Sequence, residues 1–384
     1  MWKAFLKIAP YGVAFVLLIA LDLEPSSAAA AECRAGFDLG STEVRVGSND
    51  NHEGKADRFE YLDHVKKNGV DEALFHQTVK DIKTALQDAQ MPPDCALVAG
   101  GFSAWRAALD AGEADKLSKM LDRLHQENIH NGRGVPLYVI PIDVEAIYAH
   151  TAAKHALGED LTTPFIWDIG GGSMQFGSED KAWGAALGQD AWRALFCGKI
   201  KDSSDPKCPP NPVGKDAKRR TGELLAADVG KARKKLGESG IEVTAVSPPF
   251  VFLIHPILNC VVEGPVDDGG FSRDRLSKAI ALLAEKSDGK IREVVGANGT
   301  EPCVELAKSP YIDSSVTSML LVDTFMEGLS IERVEVANAK INNVQGIIED
   351  DRSFAWAKDY GCYLDRLREK GVTAYDEAKP AECP

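Results

Sequence analysis

The 384-residue sequence has no CxxC pair, no HExxH run and no Gly-Lys-Ser/Thr loop. The first two absences leave a zinc site without ligands at the usual spacing. The third removes the phosphate loop of the Walker ATPases. Beyond the first 31 residues, no apolar run reaches the roughly 20 residues that a membrane-spanning helix needs. Positive charge is also short, since 44 Lys and Arg against 58 Asp and Glu give a formal net charge of -14. An acidic surface repels phosphate polymers at long range, which excludes nucleic acid as a partner. An anionic substrate then needs a site built for it locally.

Lys3 and Lys7 precede an apolar stretch from Val13 to Ala20 and a small-residue run ending at Ala28 to Ala31. This pattern predicts a signal peptide over 1–31, cleaved near Ala30 or Ala31, and a periplasmic or secreted mature chain. All eight cysteines follow it, and an even number in an exported chain reads as disulfides. Many connectivities are open; pairing of sequence neighbours favours Cys197 with Cys208, Cys260 with Cys303, and Cys362 with Cys383, leaving Cys33 with Cys95.

From Cys33 the chain reads as three strand-like runs, "CRAGFDLG", "EVRVGS" and "ADRFEYLDHV". A helix over "DEALFHQTVKDIKTALQDA" follows, with Leu74, Val79, Ile82 and Leu86 at helical spacing. Then come a strand at 95–101, one long helix near 103–128, a strand at 137–142 and a helix near 143–157. This order predicts a ribonuclease-H-like α/β layer, in which the first and fourth strands lie side by side and parallel. Cys33 and Cys95 start those two strands, so the topology makes them neighbours.

The pattern then restarts: "PFIWDIGGGSMQFGS" repeats the layout of "CRAGFDLGSTEVRVGS". The expectation is an α/β protein of two ribonuclease-H-like domains, 32–155 and 156–350, with a cleft between two matching turns. A polar insertion is placed at 198–222, and a C-terminal helix and tail at 351–384. Within the second half, helices are expected near 222–236, 272–292 and 314–328.

Each turn couples an acid to bare backbone and hydroxyls. Gly40, Ser41 and Thr42 in the first turn, and Gly170, Gly171, Gly172 and Ser173 in the second, let main-chain amides reach an oxyanion. Asp38 and Asp168, at the strand ends, are suited to Mg²⁺ or its waters rather than to phosphate itself. Other glycine motifs fail at one residue: both GxSxG and GxGxxG would need Gly where Gln175 stands.

"FDLGSTEVRV", "VAGGFSAWRAALDA", "YVIPIDVEAIYAH" and "FIWDIGGGSMQFG" resemble, in order and spacing over about residues 35–190, the exopolyphosphatase/guanosine pentaphosphatase (Ppx/GppA) family of the actin-like ATPase superfamily. The resemblance implies Mg²⁺-dependent hydrolysis of a terminal phosphoanhydride by a two-domain core. It implies Glu145, in "VEAIY", as the base that activates water, and Arg45 and Arg106 as phosphate contacts. Gln175 stands where the family usually has Glu and the related apyrases have Gln. Three departures stand beside it: Glu43 adds an acid at the first turn, "AVSPPF" replaces a Gly-Ala-Ser-Gly-Thr-like loop, and "NNVQG" replaces Leu-Arg-Glu-Gly. Loss of that loop favours polyphosphate over nucleotides as substrate. An apyrase-like nucleoside triphosphate hydrolase and a non-catalytic phosphate-chain binder stay open as alternatives, and so does a homodimer.

Overall fold

The computed structural model describes residues 33–237, 240–265, 267, 269–337, 341–375 and 383; the expected leader lies outside them. The first half runs β1 (Arg34–Leu39), β2 (Val44–Ser48), β3 (Glu53–Lys55), α1 (Tyr61–Asn68), α2 (Glu72–Asp88), β4 (Ala96–Gly101), α3 (Ser103–Asp110), α4 (Ala114–Gln126), β5 (Leu137–Val139) and α5 (Ile142–Leu157). Its sheet order is β3-β2-β1-β4-β5, with β1 antiparallel to β2 and parallel to β4. Central strands of such a sheet are covered on both faces and read as nearly continuous apolar runs. Accordingly Ala35, Phe37 and Leu39 of β1 are wholly buried, as are Val98 and Ala99 of β4.

The second half runs β6 (Phe165–Ile169), β7 (Met174–Gly177), β8 (Ala182–Ala185), α6 (Gln189–Lys199), α7 (Ala217–Leu236), β9 (Val243–Ala245), α8 (His255–Val261), β10 (Gly270–Ser272), α9 (Arg273–Leu283), α10 (Asp288–Gly296), α11 (Glu301–Lys308), α12 (Ser315–Gly328) and β11 (Arg333–Val336). Its sheet order is β10-β11-β9-β6-β7-β8. Read from the other edge, β8-β7-β6-β9-β11 has the order and strand directions of the first sheet, and β10 adds an antiparallel edge. The chain therefore has the duplicated ribonuclease-H-like architecture of the actin-like ATPases. Each sheet has its own core, around Phe37, Trp105 and Tyr138 in one and Trp167, Phe176 and Phe325 in the other. From Cys33 onward the two nevertheless form a single compact unit.

After β11 the chain returns to the first sheet through α13 (Val344–Glu349), α14 (Asp351–Ala357) and α15 (Tyr360–Lys370). Ile347, Trp356, Tyr360, Tyr363, Leu367 and Tyr375 all pack in the first core. The residues from 344 thus complete the first half rather than closing the second or forming a separate tail. They also cover the edge of β5: the Tyr360 hydroxyl donates to Leu137 O at 2.8 Å, and the Tyr363 hydroxyl accepts from Val139 N at 2.8 Å. An edge satisfied in this way cannot template pairing with another chain.

Several local expectations are corrected. The third strand is the short β3, and the expected run at 56–65 ends in helix α1, whose Tyr61, Leu62 and Val65 are buried at helical spacing. Five alternating residues fit either period, and the Tyr61 hydroxyl bond to Asp81 on α2, at 2.7 Å, favours the helix. The long helix near 103–128 is two helices, broken at Gly112, where φ is +77°. The stretch at 272–292 likewise divides into α9 and α10, and the tail helix into α14 and α15. Helix α7 already starts at Ala217, which shortens the polar insertion.

All four nearest-neighbour pairings are formed: Cys33–Cys95, Cys197–Cys208, Cys260–Cys303 and Cys362–Cys383. Four bridges and no free thiol among the described residues mark a chain that folds in an oxidising compartment.

Candidate active site

The two glycine turns are copies in geometry as well as in sequence. In the first, Asp38 lies opposite Arg45 and Leu39 opposite Val44, and Gly40 N donates to Glu43 O at 3.1 Å. In the second, Asp168 lies opposite Gln175 and Ile169 opposite Met174, and Gly170 N donates to Ser173 O at 2.9 Å. The turns meet across the cleft. A Cβ on Gly171 would lie 2.9 Å from Ser41 Oγ, and one on Gly172 would lie 1.9 Å from the hydroxyl of Ser103 on α3. A side chain at Gly172 would displace the Ser103 hydroxyl and crowd Leu62, so the close approach favours glycine there.

Between the turns is a cavity of about 150 Å³. Asp38, Gly40, Ser41 and Arg45 line it from the first turn, Asp168, Gly170, Gly171, Gly172 and Ser173 from the second, and Glu145 from α5. Among the described residues, the backbone amides of Ser41, Gly171 and Gly172 have no internal acceptor, so they are available to an anion in this cavity.

Glu145 sits in the first turn of α5, where a negative charge is favoured by the helix dipole. Strands of the second sheet set the position of that turn. Gly177 on β7 abuts the Ala146 carbonyl so closely that an added Cβ would lie 2.0 Å from its oxygen. Glu145 is 6 % exposed and accepts a hydrogen bond from Arg106 Nη2 at 2.7 Å.

Burial pushes the Asp38 carboxyl up to about 6; the Asn343 amide and Arg45 act against that rise, and Glu145 adds to it. Burial followed by repulsion from Glu145 pushes Asp168 up further, to about 7, although hydrogen bonds from Ser247 and Gln175 offset part of the rise. Both shifts record negative charge that the surrounding side chains do not neutralise. Arg106 is engaged by Glu145, and Arg45 by Glu43 Oε2 at 2.6 Å.

These features test whether a divalent cation fits. Two strand-end carboxylates, Asp38 and Asp168, are the donor chemistry of a hard cation. Among the described residues no three acidic, His or Cys side chains form a protein cage. One or two carboxylates, with waters or phosphate oxygens for the rest, are enough for a hard divalent cation. Asp38 and Asp168 are the residues that would hold it.

Ten of the thirteen residues singled out in the sequence line this cavity. Thr42, Arg106 and Gln175 do not. Thr42 points its backbone away, its carbonyl accepting from Phe59 N at 3.1 Å. Gln175 stands behind Asp168 and donates to its Oδ2 at 2.6 Å. Arg106 is behind Glu145, donating also to Ile140 O at 2.7 Å and Ser173 Oγ at 3.2 Å.

Residues not singled out complete the walls: Phe102, Ser103, Ala149, Val246, Ile341, Asn342 and Asn343. Asn343 holds Asp38 through its backbone amide at 3.1 Å and its side chain at 3.4 Å. The sequence signal was the "NNVQG" run itself, noted there as a departure and not as a ligand to Asp38. After strand β9, Pro248 and Pro249 have no amide to offer. Val246 N and Ser247 Oγ are both spent on strand β6, bonding Trp167 O at 3.2 Å and Ile169 N at 2.8 Å.

No protein-family model matches the chain, and no curated protein matches it by sequence. Solved structures do match its fold. A Ppx/GppA family member from Aquifex aeolicus superposes on 82% of this chain and 96% of its own, with a TM-score of 0.56 and 15% identity. An exopolyphosphatase from Cytophaga hutchinsonii superposes on 82% of this chain and 96% of its own, with a TM-score of 0.50 and 15% identity. The chain is thus similar in fold to Ppx/GppA structures, the architecture that its two Asp-Gly turns point to.

Proposed function

We propose that this protein is an exported, Mg²⁺-dependent phosphoanhydride hydrolase that releases terminal phosphate from polyphosphate. One observation carries the reading: two duplicated Asp-Gly turns and the buried Glu145 face a single small cavity. The similarity in fold to solved exopolyphosphatases supports it, and the four disulfides support export.

In this mechanism the amides of Ser41, Gly171 and Gly172, with the Ser41 and Ser173 hydroxyls, bind and orient phosphate oxygens. Glu145 takes the proton from a water placed for in-line attack on the terminal phosphorus. Asp38 and Asp168 would hold the divalent ion, which would supply neutralisation of phosphate charge. Arg45 at the rim reaches the chain once it leaves Glu43. Pro248 and Pro249, after strand β9, have no backbone amide to give a nucleotide, which favours polyphosphate.

Phosphate release from polyphosphate, ATP and guanosine pentaphosphate, measured with Mg²⁺ on oxidised protein, tests this reading. Turnover of polyphosphate that vanishes in Glu145→Gln is the expected result. A nucleotide preference would move the assignment to an apyrase-like enzyme. The two prolines at 248 and 249 in place of amide donors favour one second reading, a phosphate-chain binder without turnover, for which calorimetry would register binding while no phosphate is released.

A further inference from the structure

The resemblance assigns Arg106 to phosphate, yet its surroundings turn it elsewhere. The residue is 8 % exposed and does not line the cavity, whereas Glu145 and Ser173, to which it donates, both do. Its guanidinium bonds three separate pieces of the fold. Nη1 donates to the Ile140 carbonyl ahead of α5, and Nη2 is shared between Glu145 Oε2 on α5 and Ser173 Oγ on the second turn. Glu145 Oε1 has no hydrogen-bond partner among the described residues.

We infer that Arg106 is a positioning residue that locks Glu145 Oε2, leaves Oε1 to the water, and ties this alignment to the approach of the Ser173 turn. The inference rests on the reading of Glu145 as the base. A glutamate has three rotatable side-chain bonds, and its place in α5 fixes only the backbone. One rigid, forked donor held by a main-chain carbonyl removes that freedom with more precision than a lysine could. Because the same Nη2 also reaches Ser173, the base is aligned only when the second turn has closed on the first half. Misplacement of a catalytic group by about 1 Å costs on the order of a hundredfold in rate, so an alignment of this kind is worth building.

The test uses the full oxidised chain with Mg²⁺ and the variants Arg106→Gln, Arg106→Lys, Glu145→Gln and the Arg106→Gln/Glu145→Gln pair. Thermal unfolding comes first because it needs no turnover. Arg106→Gln strands a buried carboxylate, so the double variant should be more stable than that single variant. Strictly additive losses would mean the two side chains do not act as a pair, and the inference falls.

The second measurement is the affinity for Mg²⁺-imidodiphosphate, a non-hydrolysable chain. Arg106→Gln should bind it within about threefold of wild type, because the residue does not face the ligand. A loss of roughly tenfold or more would make Arg106 a phosphate contact and overturn the proposal.

The third is phosphate release. Arg106→Gln should lose about a hundredfold in kcat with little change in KM, and Arg106→Lys should recover part of it. In the Glu145→Gln background the same substitution should cost nothing more. A raised KM with kcat retained overturns the inference. If wild-type protein releases no phosphate from any substrate, the hydrolase reading fails, while unfolding and analogue binding still decide whether Arg106 serves Glu145 or the ligand.

Discussion

The two halves share a sheet order and an Asp-Gly turn, and they differ at the end of the strand next to that turn. In the first half β4 runs parallel to β1, with Leu39 opposite Gly101, and its end opens into α3, which brings the Ser103 hydroxyl to the cavity. In the second half β9 runs parallel to β6, with Trp167 opposite Ala245, and its end continues into Val246, Ser247 and two prolines. There the available polar groups bond back to β6, and Val246 presents an apolar wall. Duplication therefore preserved the pair of turns that face each other. Only one of the two flanks was kept open to polar chemistry.

The carboxylates differ in their partners. Both stand in the field of Glu145, but Asp38 is held by the Asn343 amide with Arg45 nearby, whereas Asp168 has Gln175 and Ser247. Burial raises both carboxyls above the usual carboxylate range.

Four results would break or sharpen this comparison. The largest effect belongs to the element that both halves share. Glu145→Gln should lower phosphate release by roughly 10²–10⁴-fold, the range for loss of a general base, and near-normal rates would leave the paired turns without a catalyst between them.

Next is the interface that seats α5 on the second half. Gly177→Ala places a Cβ 2.0 Å from the Ala146 oxygen. It should cost about 1–3 kcal/mol in stability by overpacking and also slow turnover, because Ala146 neighbours Glu145. Denaturation and kinetics on the same preparation measure both, and an unchanged kcat would disconnect that seat from the site.

The bridges come third. Cys33 and Cys95 are 62 residues apart and Cys197 and Cys208 are 11 apart. Chain entropy gives about 4 kcal/mol for a closed loop of the first length and about 3 kcal/mol for the second. Double serine variants should therefore lower stability more in the first half, and equal losses would contradict the length argument.

The smallest effect is a slope with pH. A carboxyl raised in the folded state releases its proton near 3.8 when unfolded but near 6 or 7 when folded. Between those values the native state binds more protons, so without metal the stability falls as pH rises from about 4 to 7. Mg²⁺ should raise Tm more at pH 7.5 than at pH 5, and Asp168→Asn and Asp38→Asn should each flatten the metal-free slope. A slope of the opposite sign would mean that the two carboxylates are not strained by their own charge.

Local chemistry carried much of this site. The order apolar strand, acid, glycine, hydroxyl, second strand occurs twice in the sequence, and both copies form the same turn with the same register. The neighbouring starts of β1 and β4 follow from that topology and bring Cys33 beside Cys95. Reading was weakest where five or six residues fit two periods, as at α1, or where a helical pattern ran through a break at Gly112.

What sequence alone determined is the repeated strand-turn-strand unit, the two strand-end acids, the bare turns and the acid in the first turn of α5, because each is a local pattern of neighbouring residues. Tertiary structure decided the rest. It paired Arg106 with Glu145, 39 residues away, and brought Asn343 to Asp38 from 305 residues away. It also returned α13 to α15 to the first core. Such pairings depend on which surfaces meet once both sheets are formed. A guanidinium or an amide has several possible partners, and only the packed geometry selects one.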